Sequence, residues 1–287
     1  MFDPLVEARR HRASKLTLRF PLLADEFDDV RCLAPEQAAS IVKWVRPPTD
    51  DTGEVRVLHL GCGTGRVTGA MAQLRPDWDV TGVDREDTLV ECAQDKFPPE
   101  RFANMRFVVA DARQFTRAGR WQVIVCDVLP ALPRVAELRA LTDAFAACAV
   151  EGATLLLRVP RVPNSTPHRS TREFLLPTRQ KVQVTTVRTV QGGRWMGVCR
   201  RWVLEPGGVC VDRYKVRILD TAHTIRVLQQ RGFVLEAVTA DPDGDANVQV
   251  WRRVADPREP PPGPEETVAG HGQEPCPVMV SSGGDQA

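Results

Sequence analysis

The sequence has eight cysteines in 287 residues but no CxxC pair. Zinc sites and disulfide frameworks need cysteines at characteristic spacings, so this arrangement argues against both, and we predict no metal site. Most of the cysteines stand within apolar runs, which favours a reducing compartment. They are Cys32, Cys62, Cys92, Cys126, Cys148, Cys199, Cys210 and Cys276.

Long apolar segments and a strong net charge are also missing. No run approaches the ~18 apolar residues of a membrane-spanning helix. The first residues, MFDPLVEARRHR, lack the apolar core of a signal peptide. We therefore expect a soluble, cytoplasmic protein with no membrane partner. The formal net charge is only +1, so the molecule as a whole has no strong field to steer a charged partner.

Lysine is scarce, because only five of the 38 basic residues are Lys and the remainder are Arg. Genomic bias explains such a preference without any functional role. Arginine also suits anionic groups, because its planar guanidinium binds a carboxylate or phosphate through two hydrogen bonds. The two interpretations stay open at this point.

Short apolar runs alternate with helical segments from Val55 to Pro160. The runs VRVLHL, DVTGVD, MRFVVA, WQVIVCD and ATLLLRV are separated by segments such as GRVTGAMAQL and RVAELRALTDAFAACA. This alternation predicts βα units around a parallel sheet covered on both faces. We therefore predict a doubly wound α/β core over residues 54–160, preceded by a helical cap over residues 1–53. At 43% apolar residues, the chain can bury such a core.

A different pattern begins at Arg161. PRVPNSTPHRS has the composition of a loop, and three β-rich runs follow, separated by QGG and EPGG: KVQVTTVRTV, RWMGVCRRWVL and GVCVDRYKVRIL. Glycine turns between such runs indicate β-hairpins. We predict a β-rich insertion over 161–217, the last helix and strands of the core over 218–254, and a disordered tail over 255–287. The last helix has a cap-like Asp220 and a closing Gly232.

Three glycines stand between the first strand and the next helix, at Gly61, Gly63 and Gly65. A bare turn there lets backbone N–H groups approach a ligand, and the helix N-terminus favours negative charge. The dinucleotide fingerprint GxGxxG needs a glycine at position 66, where this chain has Arg66, so the spacing weakens an NAD hypothesis. A simple tight turn is the alternative when the motif is taken alone.

Aspartates follow the next three strands of this pattern, at Asp84, Asp111 and Asp127. The carboxyl ends of parallel strands meet at one edge of the sheet, where open α/β folds bind ligands. A carboxylate at position 84 can accept both hydroxyls of a ribose, and one at position 111 can accept an exocyclic amine. A helix cap or turn explains any one of these aspartates, but three in phase with the glycine turn indicate an adenosine site.

Together, VLHLGCGTGR, VTGVDRE, FVVADARQF and WQVIVCDVLPALP resemble the sequential motifs of class I S-adenosylmethionine-dependent methyltransferases. The resemblance covers roughly residues 54–160 and, more loosely, continues to 254. It implies a Rossmann-like sheet of seven strands in the order 3-2-1-4-5-7-6, with strand seven antiparallel. It also implies an S-adenosyl-L-methionine cofactor.

The resemblance further implies which residues bind this cofactor. The glycine turn would pass under the methionine part, and Asp84 would hold the ribose hydroxyls. Asp111 and Ala112 would bind the adenine, while Asp127 and Leu129 would line the pocket near the methionine end. The implied cofactor-binding residues are Gly61, Gly63, Gly65, Asp84, Arg85, Asp111, Ala112, Asp127 and Leu129.

One position departs from the family pattern. The family usually has Asp or Glu where this chain has His59, and that acidic group often supports the amino group of the cofactor. A histidine either replaces this support as a neutral acceptor or weakens binding. A lone histidine at a strand end is more often structural, so His59 is not included among the catalytic candidates.

No residue stands in a recognisable catalytic motif on the substrate side. An amine nucleophile needs only to be neutral when bound, whereas a hydroxyl or carbon nucleophile usually needs a base. His168 and Tyr214 are the weak candidates for that base. An exposed loop position is the alternative for His168, and a core or pocket-wall position is the alternative for Tyr214.

The β-rich insertion offers the best indication of the substrate. Residues 158–231 hold fifteen Arg or Lys against four acidic residues. Arg213, Lys215 and Arg217 alternate along one face of a strand, which fits either a solvated outer face or a surface for an anionic partner. Small-molecule methyltransferases that resemble this chain carry strands here, covering the active site. We therefore hypothesise N- or O-methylation of a small, anionic molecule beneath this insertion.

Three other functions share the fold. A nucleic-acid methyltransferase fits the basic charge, but CDVLPALP lacks the Asn/Asp-Pro-Pro-Tyr/Phe motif that stacks a flipped base, so nucleic acid is not favoured. An aminopropyltransferase also has an aspartate after strand four, but its cationic substrates need an acidic pocket. The third alternative is a non-catalytic protein that binds the cofactor.

Overall fold

The apolar runs of the sequence form strands in the computed structural model, which describes residues 34–45, 55–115, 121–127, 135–164, 166–175, 181–205, 209–218, 220–241 and 246–254. In chain order, the strands of these residues are β1 (Val55–Leu60), β2 (Trp78–Asp84), β3 (Met105–Val109), β4 (Trp121–Cys126), β5 (Ala149–Pro160), β6 (His168–Leu175), β7 (Lys181–Gln191), β8 (Trp195–Glu205), β9 (Val209–Arg217), β10 (Phe233–Ala240) and β11 (Ala246–Arg253). The helices are α1 (Ala34–Trp44), α2 (Arg66–Leu74), α3 (Asp87–Lys96), α4 (Val135–Cys148) and α5 (Thr221–Gln229).

Seven strands form the main sheet in the order β3-β2-β1-β4-β5-β11-β10. The first five of these strands, from β3 to β5, are parallel to one another. Strand β11 is antiparallel to both β5 and β10. The predicted order, with strand seven antiparallel, is therefore confirmed, and β11 is that strand. Parallel strands need long crossovers, and α2, α3 and α4 provide those from β1 to β2, from β2 to β3 and from β4 to β5.

Both faces of the main sheet are covered, because alternate residues of its strands enter different clusters. Val57 of β1 packs in one cluster with residues of α1, α2 and α3, including Met71. Leu58 packs in the other cluster with residues of α4 and α5, including Leu141. Strands β1 and β4 are buried on both faces, which explains why they read as nearly continuous apolar runs. The predicted doubly wound class is confirmed.

The last helix begins as predicted. The Asp220 side chain accepts a hydrogen bond from the backbone N–H of His223 at 3.1 Å, which satisfies one of the exposed donors of the first turn. At the start of the described residues, Ala38 and Ile41 of α1 pack into the core beside α2. The remainder of the predicted cap, residues 1–33 and 46–54, and the predicted tail from 255 lie outside the described residues.

Four further strands form a second, antiparallel sheet in the order β6-β7-β8-β9. Three of them correspond to the predicted runs, but the loop assignment around PRVPNSTPHRS is wrong from His168 onward, where β6 begins. Its register runs from His168 opposite Arg188 to Leu175 opposite Lys181. The polar composition of β6 conceals it, because backbone pairing with the edge of β7 does not depend on apolar side chains.

All described residues belong to one compact unit. Among them, no helix combines the length and the apolar character needed to cross a membrane. The same residues contain no group of three or more His, Cys, Asp or Glu side chains that is arranged to hold a metal ion. The domain boundaries within this unit remain predictions.

Candidate active site

The glycine turn lies at the carboxyl edge of the main sheet, between β1 and α2. Gly61, Gly63 and Gly65 have positive φ angles of 82°, 56° and 79°, a region that other residues enter only with strain. A Cβ atom on Gly65 would lie 2.7 Å from the ring of Phe107, whereas one on Gly63 would meet nothing within 4 Å. The turn is therefore packed closely against the sheet at Gly65 and faces open space at Gly63.

Asp84 ends β2 and fastens this turn to the neighbouring strand. Its Oδ2 atom accepts a hydrogen bond from the backbone N–H of Gly63 at 2.9 Å, and its Oδ1 atom accepts one from Glu86 at 3.0 Å. Each carboxylate oxygen has a second lone pair, so further donors can still bind. Arg85 is exposed and pairs with Glu86 at 3.0 Å. The structure therefore brings Asp84 to the turn and leaves the Arg85 side chain on the surface.

Asp111 lies two residues beyond β3 and is held by Arg113, a residue that the sequence analysis missed. The Arg113 guanidinium binds both carboxylate oxygens, and the Arg113 backbone N–H donates to Oδ1 at 2.9 Å. These hydrogen bonds lower the pKa of Asp111, and the charge of Arg85 adds to the effect. Arg113 also pairs with Glu137 of α4. An arginine two residues after a strand-end aspartate was the available signal.

Asp127 follows β4 directly and lies on the other side of the turn. Its backbone N–H donates to the carbonyl of Leu60 at 2.9 Å, which fixes the start of the loop against the end of β1. Its side chain is 28% exposed and approaches His59. Ala112, by contrast, is buried among the apolar residues of the main sheet. Leu129, the remaining implied residue, lies outside the described residues.

His59 is buried in the floor of the site with 1% of its surface exposed. Its Nδ1 atom lies 2.8 Å from Oγ1 of Thr68, the buried threonine of α2. Its Nε2 atom lies 3.5 Å from Oδ2 of Asp127 and has no hydrogen-bond partner. Sequence reasoning noticed His59 but not Thr68, because the contact joins a strand to the following helix across the glycine turn.

The turn sits in a field of negative charge. Burial raises the pKa of the Cys62 thiol well above its ordinary value, and the carboxylates of Asp84 and Asp127 raise it further. Asp84 accepts a hydrogen bond from the turn itself, at Gly63, and Asp127 follows the neighbouring strand β4. An open glycine turn between two carboxylates, with an ionised Asp111 beyond, suits an adenosine compound that carries a positive charge near the turn.

The two weak base candidates lie on the second sheet and are not adjacent. His168, Arg188, Val198 and Tyr214 occupy directly opposed positions on β6, β7, β8 and β9. Three strand spacings separate His168 from Tyr214, which is roughly 14 Å. The Nδ1 atom of His168 is buried and has no hydrogen-bond partner. Both candidates therefore belong to the second sheet, with two strands between them.

The basic residues of the second sheet divide between its two faces. Arg213 and Lys215, which suggested the anion-binding surface, are exposed. Arg188 and Arg200 are buried, with 6% and 9% of their surfaces exposed. By register they share a face with Val198, and we call this side the buried face of the second sheet. Arg217, the third residue of this alternation, is half-buried, and both alternatives for the face of Arg213 and Lys215, a solvated surface or a surface for an anionic partner, stay open.

Comparison with known proteins supports the same reading of the core. Residues 57–152 match the family model described as "Methyltransferase domain". The trans-aconitate 2-methyltransferase of Streptomyces avermitilis is 33% identical over 139 residues, which cover 47% of this chain and 50% of that protein. A malonyl-[acyl-carrier protein] O-methyltransferase of Bacillus cereus is 27% identical over 112 residues, covering 39% and 40%. The chain thus matches half or less of the length of these curated relatives.

A solved structure extends the likeness of fold beyond the core. It is an S-adenosylmethionine-bound amino pentose methyltransferase from Micromonospora echinaspora, involved in calicheamicin biosynthesis. The TM-score is 0.64 at 20% identity, and the match covers 77% of this chain and 92% of that one. The sheet order, the glycine turn and these matches lead to one conclusion: residues 57–152 match a methyltransferase domain, and the chain has the fold of the class I S-adenosylmethionine-dependent methyltransferases.

Proposed function

We propose that this protein is an S-adenosylmethionine-dependent methyltransferase that modifies a nitrogen or oxygen atom of a small, anionic molecule. The observation that carries the proposal is the convergence of the glycine turn with Asp84, Asp111 and Asp127 at one edge of the main sheet. When bound, S-adenosylmethionine supplies an electrophilic methyl group on a sulfonium. The chain's own residues then have to bind the adenosine, orient the methyl group and exclude water.

Each part of the site has a proposed role in binding. Asp84 accepts hydrogen bonds from the ribose hydroxyls. It uses the carboxylate lone pairs that are not already bonded to the backbone N–H groups of Gly63 and Glu86. Asp111 is kept ionised by Arg113, so it acts as an acceptor for an exocyclic amine, with the Ala112 backbone beside it. The glycine turn leaves room for the methionine part, and the carboxylates around Cys62 attract its positive charge. Leu129 remains a proposed pocket residue.

Positioning supplies most of the catalysis in this proposal. Holding a nucleophile in line with the methyl group can lower the activation free energy by about 7–11 kcal/mol, because translational and rotational freedom is already lost on binding. A neutral amine or a carboxylate attacks without a general base. Neither nucleophile requires His168 or Tyr214 to act as a base in this proposal. Proteins similar to this chain are named as methyltransferases of trans-aconitate, of malonyl-[acyl-carrier protein] and of an amino pentose.

The preference for an anionic substrate is assigned to the second sheet. Residues 158–231 carry a net charge of +11 in sequence, and Arg188 and Arg200 are buried together on one face. Buried guanidinium groups interact strongly with carboxylates and phosphates, because the surrounding dielectric constant is low. In this proposal the buried face of the second sheet covers the substrate while the main sheet holds the cofactor.

The first test measures thermal stability with a panel of ligands: S-adenosylmethionine, S-adenosylhomocysteine, decarboxylated S-adenosylmethionine and NAD. A ligand at 100 times its Kd stabilises the fold by about 2.7 kcal/mol, which raises the Tm measurably. We expect stabilisation by the first two ligands and its loss in Asp84→Asn. Asp79→Asn is the matched control, because Asp79 lies on the same strand but pairs with Arg106 at 3.0 Å, away from the turn.

Other results would replace the proposal with a specific alternative. A response to decarboxylated S-adenosylmethionine alone would indicate aminopropyl transfer. No response to any ligand would indicate a fold without cofactor binding, and salt-dependent retention on RNA would revive the nucleic-acid alternative.

A further inference from the structure

We propose that His59 is a positioning residue that directs the Asp127 carboxylate toward the α-ammonium group of the bound cofactor's amino-acid end. The inference rests on the proposed function, because it concerns the same site. It assigns a role to a buried imidazole at a position where the family usually has a carboxylate. The pair would then offer the ammonium group one oriented negative charge.

The first observation is that His59 is buried but only half satisfied. Buried polar atoms are nearly always hydrogen-bonded, because a bond lost to water must be replaced. Nδ1 lies 2.8 Å from Thr68 Oγ1, while the buried Nε2 has no partner and faces Asp127 Oδ2 at 3.5 Å. A modest shift of the carboxylate closes that distance to a hydrogen bond.

The second observation concerns which nitrogen carries the proton in the neutral ring. If Nδ1 donated to Thr68, the lone pair of Nε2 would face the Asp127 carboxylate, which is unfavourable. If instead the Thr68 hydroxyl donates to Nδ1, the Nε2–H points at Oδ2 of Asp127. The carboxylate therefore selects the second arrangement, and the chain of contacts runs from Thr68 through His59 to Asp127.

The third observation is that Asp127 is held at the turn. Its backbone N–H is bonded to Leu60, so the residue cannot withdraw from the strand end. Its Oδ2 atom lies 3.5 Å from Nε2 of the buried His59, and its side chain is partly exposed. A cation bound beside the turn would contact this carboxylate, and a hydrogen bond from His59 would fix the orientation of the carboxylate.

Two ligands separate this role from a general effect on the fold. S-adenosylhomocysteine carries the amino-acid end, whereas 5′-methylthioadenosine has the same adenosine and sulfur without it. The Kd of each is measured by calorimetry for the wild type and for His59→Leu, His59→Gln, Thr68→Val and Thr81→Val. Gln replaces the Nε2–H with an amide donor at a similar reach. Thr81 is the matched control, because it is a buried strand threonine without a hydrogen-bond partner.

We expect His59→Leu to weaken S-adenosylhomocysteine at least tenfold and to change methylthioadenosine by less than twofold. His59→Gln should recover most of the loss. Thr68→Val should weaken S-adenosylhomocysteine three- to fivefold, because Nδ1 is then free to hold the proton, and Thr81→Val should change neither Kd. Thr68→Val tests the inference independently if His59→Leu does not fold.

Two outcomes would overturn the inference, and they differ in what else they affect. Equal losses for both ligands, or no loss, in His59→Leu and Thr68→Val would show that His59 only fills the core, while the proposed function would stand. Failure of the wild type to bind either ligand would overturn the proposed function together with the inference.

Discussion

The two sheets of this protein bury polar groups in different ways. In the main sheet, the central strands β1 and β4 are mostly apolar on both faces, acidic groups follow the strands around the glycine turn, and Arg253 of β11 is buried at the opposite end of its strand. In the second sheet, charge lies within the buried face itself, at Arg188 and Arg200. A cofactor site built at strand ends leaves the strands free to form the core, whereas a site built on a sheet face must place its charged groups among the packing residues.

This difference decides where substitutions act. Residues at the carboxyl edge are held by backbone hydrogen bonds, such as those between Asp84 and Gly63 or Asp127 and Leu60. A change there alters both local geometry and ligand binding. Charged residues of the second sheet alternate with apolar ones, so one strand carries a buried and a solvated set. A change on the solvated set should have no functional consequence.

The largest effect is expected from Gly65→Ala in the glycine turn. Both Gly63 and Gly65 have positive φ angles, so an alanine at either position costs about 1 kcal/mol or more in backbone strain. Only at position 65 would the added Cβ also collide with Phe107, at 2.7 Å. Overpacking adds about 1–3 kcal/mol, so Gly65→Ala should lose about 3 kcal/mol of unfolding free energy, measured in urea.

Gly63→Ala is the control for this prediction, because its Cβ would enter open space. We expect it to lose only about 1 kcal/mol from backbone strain. Equal losses at the two positions would mean that the contact with Phe107 does not stabilise the turn, and that the main sheet tolerates movement there.

The main sheet could be predicted from the sequence because its signals are local. The glycines at Gly61, Gly63 and Gly65 mark the turn after the first strand, whereas the strand order was implied by the resemblance of the motifs to a known family. What the sequence did not indicate are the contacts that cross between elements. Arg113 reaches Asp111 and α4 at once, and Thr68 reaches back from α2 to His59. The spacing of Asp111 and Arg113 is visible in the sequence, but no local pattern marks the contacts of Arg113 with α4 or of Thr68 with His59.

The second sheet was predictable as strands but not as a surface. Alternation along β7, β8 and β9 indicated hairpins, yet it could not show which set of alternate residues is buried. Arg213 and Lys215 looked like the functional set because they alternate cleanly, and the structure exposes them. Arg188 and Arg200 lie on adjacent strands, so their proximity depends on the register of β7 and β8.

The next prediction contrasts the two faces directly. With an acceptor identified by screening acidic metabolites, Arg188→Met should raise its KM tenfold or more, which corresponds to about 1.4 kcal/mol. The Kd of S-adenosylhomocysteine should stay within twofold, because the proposed cofactor site lies on the main sheet. Arg213→Met is the matched control on the solvated face and should change neither constant. An increase in KM for Arg213→Met alone would restore the solvated face as the substrate surface.

A smaller effect is expected at the Asp111–Arg113 pair of the main sheet. Because Arg113 lowers the pKa of Asp111, the pair stabilises the fold fully above the unfolded-state value of about 3.9, and this contribution is lost as the pH falls through the folded-state pKa. Arg113→Gln should therefore be less stable than the wild type by on the order of 1 kcal/mol at pH 7. The difference in unfolding free energy should shrink below pH 4. A constant difference down to pH 2.5 would indicate packing rather than charge.

The smallest effect should come from two buried threonines that differ in their partners. Thr185 of the second sheet lies 3.2 Å from Thr171 across the strands, so Thr185→Val removes a hydrogen bond and should cost about 0.5–1 kcal/mol. Thr81 of the main sheet is also buried, but its hydroxyl has no hydrogen-bond partner. Thr81→Val should leave the unfolding free energy unchanged or raise it by about 0.5 kcal/mol, because an unsatisfied hydroxyl is removed from an apolar strand. Denaturant titrations measure the unfolding free energy of both variants. A loss for Thr81→Val as large as that for Thr185→Val would mean that the Thr81 hydroxyl is hydrogen-bonded as well.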